Sequence, residues 1–220
     1  MILITGANGF VGRRICARLV NANHRIVRGV RRANASGEVS LGSLGTDTQG
    51  SDVFEGIDTI IHTAARVHMM DDSSADPLAA FRTVNTEGTL SLARSAAAAG
   101  VRRFVFLSSI KVNGEATRPG QPFRHDDRPD PAGPYAVSKA EAEQGLFDIS
   151  AETSLEVCVV RPPLVYGPRV GANFARLMRL VERGVPLPFG LVDNRRSLVF
   201  VDNLVSLLAH FVEAPEVDRQ

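Results

Sequence analysis

The sequence has little cysteine, no imbalance of charge and no long apolar run, and each shortage removes a class of protein. Two cysteines in 220 residues, one in an apolar helical stripe (Cys16) and one in the strand-like run LEVCVVRP (Cys158), build neither a disulfide framework nor a metal site, so both read as core thiols. Lysine and arginine together number 25 against 24 acids, a net charge of +1. That balance gives no electrostatic reason to expect nucleic acid or a charged membrane surface as partner. No uninterrupted apolar stretch approaches the roughly 20 residues of a membrane span, and MILITGANG turns glycine-rich before a signal-peptide core could form. The expectation is a cytoplasmic chain of ordinary globular composition, 44% hydrophobic and 22% charged, without repeats or low-complexity segments.

What is present is an alternation of short apolar runs with helix-period segments. MILIT, RIVRGV, DTIIHTA, RRFVFLSS and SLEVCVVRP are continuous enough to be strands buried on both faces. FVGRRICARLVNANH, FRTVNTEGTLSLARSAAAAG (closed by Gly100) and YAVSKAEAEQGLFDIS carry the helical spacing between them. The fold class this predicts is α/β, a Rossmann-type doubly wound parallel sheet over residues 1–168. Residues 169–220, with helices at ANFARLMRLVERG and DNLVSLLAHFVEA and a strand at RRSLVFV, read as the start of a small substrate-binding region packed on the first. Phe174, Leu177, Met178 and Val181 fall at helical spacing and read as core. The stretches NASGEVSLGSLGTDTQGSD and NGEATRPGQPFRHDDRPDPAG read as loops, the second placed to cover a substrate.

Three glycines spaced by three, Gly6, Gly9 and Gly12 in TGANGFVG, lie after the first strand and at the mouth of a helix. That arrangement lets backbone and helix N-terminus approach a pyrophosphate. The second strand ends in GVRRAN, where many dinucleotide folds carry an acid for the ribose hydroxyls. Arg31 and Arg32 suit a 2′-phosphate instead, which favours NADP slightly over NAD. Tyr135 and Lys139, four apart on one helix face, form an acid/base pair in which the ammonium is expected to lower the tyrosine pKa. Ser108 and Ser109 end an apolar strand, and their hydroxyls are expected to face the same crevice. His62, in an apolar strand, reads as a hydrogen-bonded core residue, and His125, Asp126 and Asp127 read as a solvated loop; no metal is expected. The pattern RVHMMDDSS (His68, Met69, Met70, Asp71, Asp72) reads as a loop or helix entry.

In TGANGFVG, HTAA, NTEGT (Asn85 to Thr89), SSIKVNG, YAVSK and RPPLVYGP, in this order, the chain resembles the extended short-chain dehydrogenase/reductase family and its sugar-nucleotide epimerases, dehydratases and reductases. The resemblance implies catalysis by Ser109, Tyr135 and Lys139. It implies a cofactor held by Gly6, Asn8, Gly9, Phe10, Val11, Gly12, Arg31, Arg32, Leu44, Ala64, Ala65, Ser108, Tyr135, Lys139 and Pro162, and a nucleotide-diphosphate sugar met by Arg66, Ser109, Asn173 and Arg196. It departs from the family pattern at Ser43, Asn113 and Leu164, where Asp, Tyr and Asn are common. Relatives usually continue further, so a truncated C-terminus is expected. The implied activity is NAD(P)-dependent reduction of a 4-keto sugar or C4 epimerisation, for surface-polysaccharide synthesis, in a homodimer built on a helix pair that includes the Tyr135 helix. A steroid-like or small-alcohol reductase and a non-catalytic NADP-binding sensor remain open beside it.

Overall fold

The computed structural model describes residues 1–45, 51–67, 76–186 and 192–214, apart from the side chains of Ser51, Ala172 and Asn173. The RVHMMDDSS segment from His68 onward lies outside these residues. Six strands form one parallel sheet in the order β3-β2-β1-β4-β5-β6: β1 Ile2–Thr5, β2 Ile26–Val30, β3 Glu38–Ser40, β4 Thr59–His62, β5 Arg103–Leu107 and β6 Glu156–Val160. The chain reverses direction across the sheet between β1 and β4, the place where such sheets open a crevice beyond their carboxyl ends.

Strand residues alternate between two hydrophobic layers, as a period of two requires. Ile2, Ile4, Ile61, Val105 and Cys158 face a layer completed by helix α1 (Phe10–Asn21). Leu3, Ile60, Phe104 and Phe106 face the other. That second layer is completed by Leu92, Ala93 and Ala96 of helix α3 (Gly88–Ala98) and by Ala142, Leu146 and Ile149 of helix α4 (Gly133–Glu152). Gly100 sits at φ +78, and the Val101 N–H donates to Ala96 O, which ends α3 as a glycine terminator should.

Residues 169–220 contribute directly to the first layer. Helix α6 (Val201–Glu213) buries Val201, Leu204, Val205, Leu208 and Ala209 among Ile2, Ile4, Ile15 and Leu19. Arg14 of α1 pairs with Asp202 at the start of α6, and the His24 ring, just past α1, hydrogen-bonds Glu213 at its end. Cys16 and Cys158 are buried free thiols, both pushed up to about 11 by burial.

Four local expectations are corrected. The predicted loop NASGEVSLGSLGTDTQGSD contains β3, whose short edge sequence Glu-Val-Ser carries no strand signal. RPPLVYGP contains β7 (Leu164–Tyr166), which pairs in parallel with β8 (Leu198–Phe200) in a separate two-stranded sheet. The helix read from Phe81 begins earlier, at α2 (Pro77–Phe81) with Asp76 as its cap, and it widens into a π turn at Arg82–Glu87 before α3. Among its described side chains, helix α5 (Ala172–Glu182) buries no residue; Leu177, Met178 and Val181 are 38–57% exposed rather than core. Periodicity identifies the apolar face of a helix but not whether anything covers it.

Candidate active site

The loop from β1 to α1 is shaped by contacts that only glycine permits. Gly6 takes φ +67, and a Cβ there would lie 2.7 Å from Ala64 N; a Cβ on Gly12 would lie 2.1 Å from Gly6 O. The Gly9 N–H donates to Gly6 O at 2.8 Å, closing the turn. No side chain caps α1 and no acid lies in its first turn. The backbone N–H groups of Phe10, Val11 and Gly12 therefore open toward the crevice, with Asn8 exposed beside them. This cradle fits a pyrophosphate. Gly12→Ala is expected to weaken dinucleotide binding at least tenfold, on the order of what one displaced anion contact costs. Titration of nicotinamide fluorescence on a folded variant measures it.

Neighbouring loops close the cradle's sides. The Ala64 N–H donates to Thr5 Oγ1 at 3.4 Å, which holds Ala64 and Ala65 against the end of β1. Leu44 lies where its loop presses on the π turn: Gly45, at φ +93, has no room for a Cβ because Thr83 O would be 1.8 Å away, and Gly88 meets Leu44 and Gly45 in the same way. Arg31 and Arg32 are exposed just beyond β2, and Ser40 Oγ donates to Arg31 O at 3.0 Å.

The candidate acid/base residues converge at the ends of β5 and β6. Helix α4 enters through Gly133 (φ +79) and Pro134, which sets Tyr135 in its first turn. Tyr135 is largely buried, and burial raises its pKa, while the Ser109 hydroxyl acts in the opposite direction. One turn on, Lys139 is 2% exposed; its Nζ donates to Leu107 O at 3.0 Å and lies 4.4 Å from the centre of the Phe106 ring. Burial pushes Lys139 down to about 7. Two expectations change here. Tyr135 is shifted up rather than down, because desolvation dominates and the lysine is directed to a backbone carbonyl. Of the two strand-end hydroxyls, only Ser109 sits with Tyr135; Ser108 Oγ donates inward to Glu143.

The π turn supplies a clamp within NTEGT, a motif to which the sequence assigned no role. Its extra residue directs Asn85 to the Arg66 backbone, accepting from N at 2.8 Å and donating to O at 3.1 Å, and also to Ser138 Oγ at 3.1 Å. Thr86 Oγ1 donates to Ser138 O at 2.9 Å. Arg66 is thereby fixed near the tyrosine, its guanidinium 5.6 Å from the centre of Phe81, whose ring meets Tyr135 edge-on at 6.0 Å. Pro162 O accepts from Ile110 N at 3.0 Å, which joins the ends of β5 and β6. Arg196 is exposed ahead of β8, and no contact draws it into this cluster; Asn173 lies on α5 with its side chain outside the described residues.

His62 is fully buried. Its ring nitrogens lie 2.7 Å from Thr5 Oγ1 and 3.0 Å from Thr89 Oγ1, and burial, aided by Lys139, lowers its pKa to about 3. A depressed histidine pKa means that the unfolded chain takes up a proton first. The neutral imidazole's contribution is complete above about pH 6.5 and is lost as pH falls toward 3, by up to about 1.4 kcal/mol per pH unit. Denaturant unfolding of wild type and His62→Asn across this range is expected to show the difference in slope. No group of three or more potential metal ligands occurs among the described residues, and no described helix is long and apolar enough to cross a membrane.

A parallel sheet, a glycine cradle at the β1–α1 turn and a Tyr-Lys pair beside a strand-end serine make up the candidate site. The profile of the NAD dependent epimerase/dehydratase family matches residues 2–220, and the chain belongs to that family. It is 43% identical over 224 residues to the UDP-glucose 4-epimerase of Vibrio cholerae, covering 100% of this chain and 68% of that protein. It is 27% identical over 220 residues to the N-acetyl-alpha-D-glucosaminyl-diphospho-ditrans,octacis-undecaprenol 4-epimerase of Escherichia coli O157:H7, covering 95% and 62%. Among solved structures, MoeE5 in complex with UDP-glucuronic acid and NAD is similar with a TM-score of 0.81 and 29% identity, over 99% of this chain and 73% of that one. The chain thus spans about two thirds of the length of these curated relatives.

Proposed function

We propose that the chain is the catalytic, dinucleotide-binding part of a UDP-sugar 4-epimerase that uses NAD. The observation that carries this is the convergence of Tyr135, Ser109 and Lys139 at the carboxyl ends of the strands, the end of the sheet that also bears the glycine cradle. The identity with a UDP-glucose 4-epimerase supports the choice of reaction. The dinucleotide, when bound, supplies the hydride acceptor and donor. Tyr135 exchanges the proton of the sugar C4 hydroxyl, and Ser109 hydrogen-bonds the same oxygen. Lys139 places positive charge beneath the tyrosine and offers donors to a ribose. The first-turn N–H groups of α1 hold the pyrophosphate, and Leu44, Ala64, Ala65 and Pro162 line its path. Arg66, Asn173 and Arg196 are the proposed sugar-nucleotide contacts. The division near residue 168 into cofactor and substrate regions, the helix-pair homodimer through α4, a cytoplasmic location and a role in surface-polysaccharide synthesis belong to the same proposal.

A second reading, an NADP-dependent 4-keto reductase, is favoured only by Arg31 and Arg32 and by the lack of an acid at the end of β2. Cofactor stoichiometry separates the two. An epimerase regenerates its dinucleotide each cycle, so UDP-glucose should turn over with catalytic NAD and no lasting change at 340 nm. Steady NADPH consumption with a 4-keto sugar nucleotide, together with tighter binding of NADPH than of NADH, would overturn the epimerase reading.

A further inference from the structure

The mechanism above leaves unused a carboxylate one turn beyond Lys139. Tyr135, Lys139 and Glu143 are spaced four apart, so they stack along one face of α4. Glu143 is 2% exposed, as deeply buried as the lysine. The two side chains grip adjacent residues at the end of β5: Lys139 Nζ donates to Leu107 O, and Glu143 accepts from Ser108 Oγ. Arg161, just past β6, donates to both Glu143 oxygens, from Nε at 3.1 and 3.0 Å and from a terminal nitrogen at 2.6 Å. Its other terminal nitrogen donates to Asn113 Oδ1 at 3.2 Å, and Asn113 Nδ2 donates to Arg124 O at 3.0 Å in the loop ahead of α4. Asn113 occupies the position where the family commonly has tyrosine, so this amide link belongs to this chain's own residues.

We propose that Glu143, held by Arg161, is a positioning residue that keeps the Lys139 ammonium charged and fixed on the Leu107 carbonyl. The proposal rests on the catalytic reading of Lys139 given above. Its physical basis is that a lone ammonium at this depth would shed its proton, and a carboxylate a turn away offsets that desolvation. Consistently, burial drives Lys139 down and Glu143 acts in the opposite direction. The other groups around Lys139 do not supply the compensation. Tyr135 is protonated and His62 is neutral at physiological pH. Arg82 of the π turn is committed to Glu141 on the outer face of α4, and Glu156 of β6 to Arg102 and Arg103. Lys111 pairs with Glu115, while Glu87 and Arg94 are exposed. Arg161 is a cation, and its net effect depends on its being neutralised by Glu143.

The sequence offers a direct readout, because its only two lysines are Lys111 and Lys139. Protein labelled with ¹³C at lysine Cε gives two resonances, of which exposed Lys111 serves as the internal reference during a pH titration. Glu143→Gln keeps the shape and is expected to lower the Lys139 midpoint by on the order of one pH unit, with Lys111 unmoved. Glu143→Asp, which retains the charge, should bring the midpoint back toward wild type. Should Glu143→Gln leave Arg161 too poorly compensated to fold, Glu143→Gln/Arg161→Gln removes the carboxylate together with its buried guanidinium partner and is expected to shift the Lys139 midpoint in the same downward direction. An unchanged Lys139 midpoint in Glu143→Gln, or in the double variant if only that one folds, overturns the proposal. No turnover is needed for this titration, so a failure of the epimerase reading, such as full activity in Lys139→Met, would show separately.

Discussion

Tyr135→Phe is expected to lower turnover of a UDP-sugar by about 10²- to 10⁴-fold, the range attributable to a positioned general acid/base, while the affinity for dinucleotide changes little. The separation follows from the geometry. The ring of Tyr135 packs edge-on against Phe81, which phenylalanine preserves, and its hydroxyl meets the Ser109 side chain, which phenylalanine cannot engage. The glycine cradle and the Leu107–Lys139 bond are untouched by the change. Removing a phenol whose pKa is raised by burial also removes a desolvated polar group, so the variant should unfold at a temperature no lower than the parent's. Steady-state kinetics and a dinucleotide titration on one preparation read both halves. Turnover within tenfold of wild type would show that another group moves the proton.

The largest stability effect is expected at Glu156. Arg103 is completely buried at the start of β5, and its guanidinium is bound on two sides. Glu156 Oε2 accepts from its Nε at 2.8 Å, and another of its nitrogens donates to Phe211 O and Ala214 O at 2.5 and 2.7 Å. Those carbonyls are at the C-terminal end of α6, where a cation is favoured. Glu156→Ala leaves the arginine buried with carbonyl partners only. The expected loss is about 3 kcal/mol, the lower part of the range for breaking a buried ion pair, because Glu156 keeps some exposure and also meets Arg102. Chemical denaturation measures it. Since α6 packs on α1, the variant should also show earlier proteolysis within 201–214. A loss below about 0.5 kcal/mol, the ordinary scale of a surface change, would contradict this account.

The sequence-level reading and the structure agree where the signal is local and periodic. MILIT and DTIIHTA could be read as doubly buried strands because every residue of β1 and β4 is buried. The glycine spacing could be read because Gly6 and Gly12 each answer a backbone approach that a Cβ would block. What was not legible depends on partners distant in the chain. Arg161 sits in an unremarkable RPP, and only the fold brings it to Glu143, although the four-residue step from Tyr135 through Lys139 to Glu143 was visible. The π turn is invisible to a 3.6-residue period, yet it is what directs Asn85 to Ser138 and Arg66. Tyr135 reversed the expected direction of its pKa shift because spacing reports proximity along a helix and says nothing of desolvation. On α5, amphipathic spacing predicted burial that the described residues do not provide.

The proposed reaction removes and returns hydrogen at the sugar C4 while the dinucleotide is regenerated. The measurement that tests it most directly is a proton NMR time course of UDP-glucose with the protein and catalytic NAD, following the sugar anomeric signals. The account predicts that UDP-galactose appears and approaches equilibrium at constant total nicotinamide, and that Tyr135→Phe protein stops it. A 4-keto product accumulating in step with NADH, or NAD bound beside an unchanged UDP-glucose signal, would contradict it.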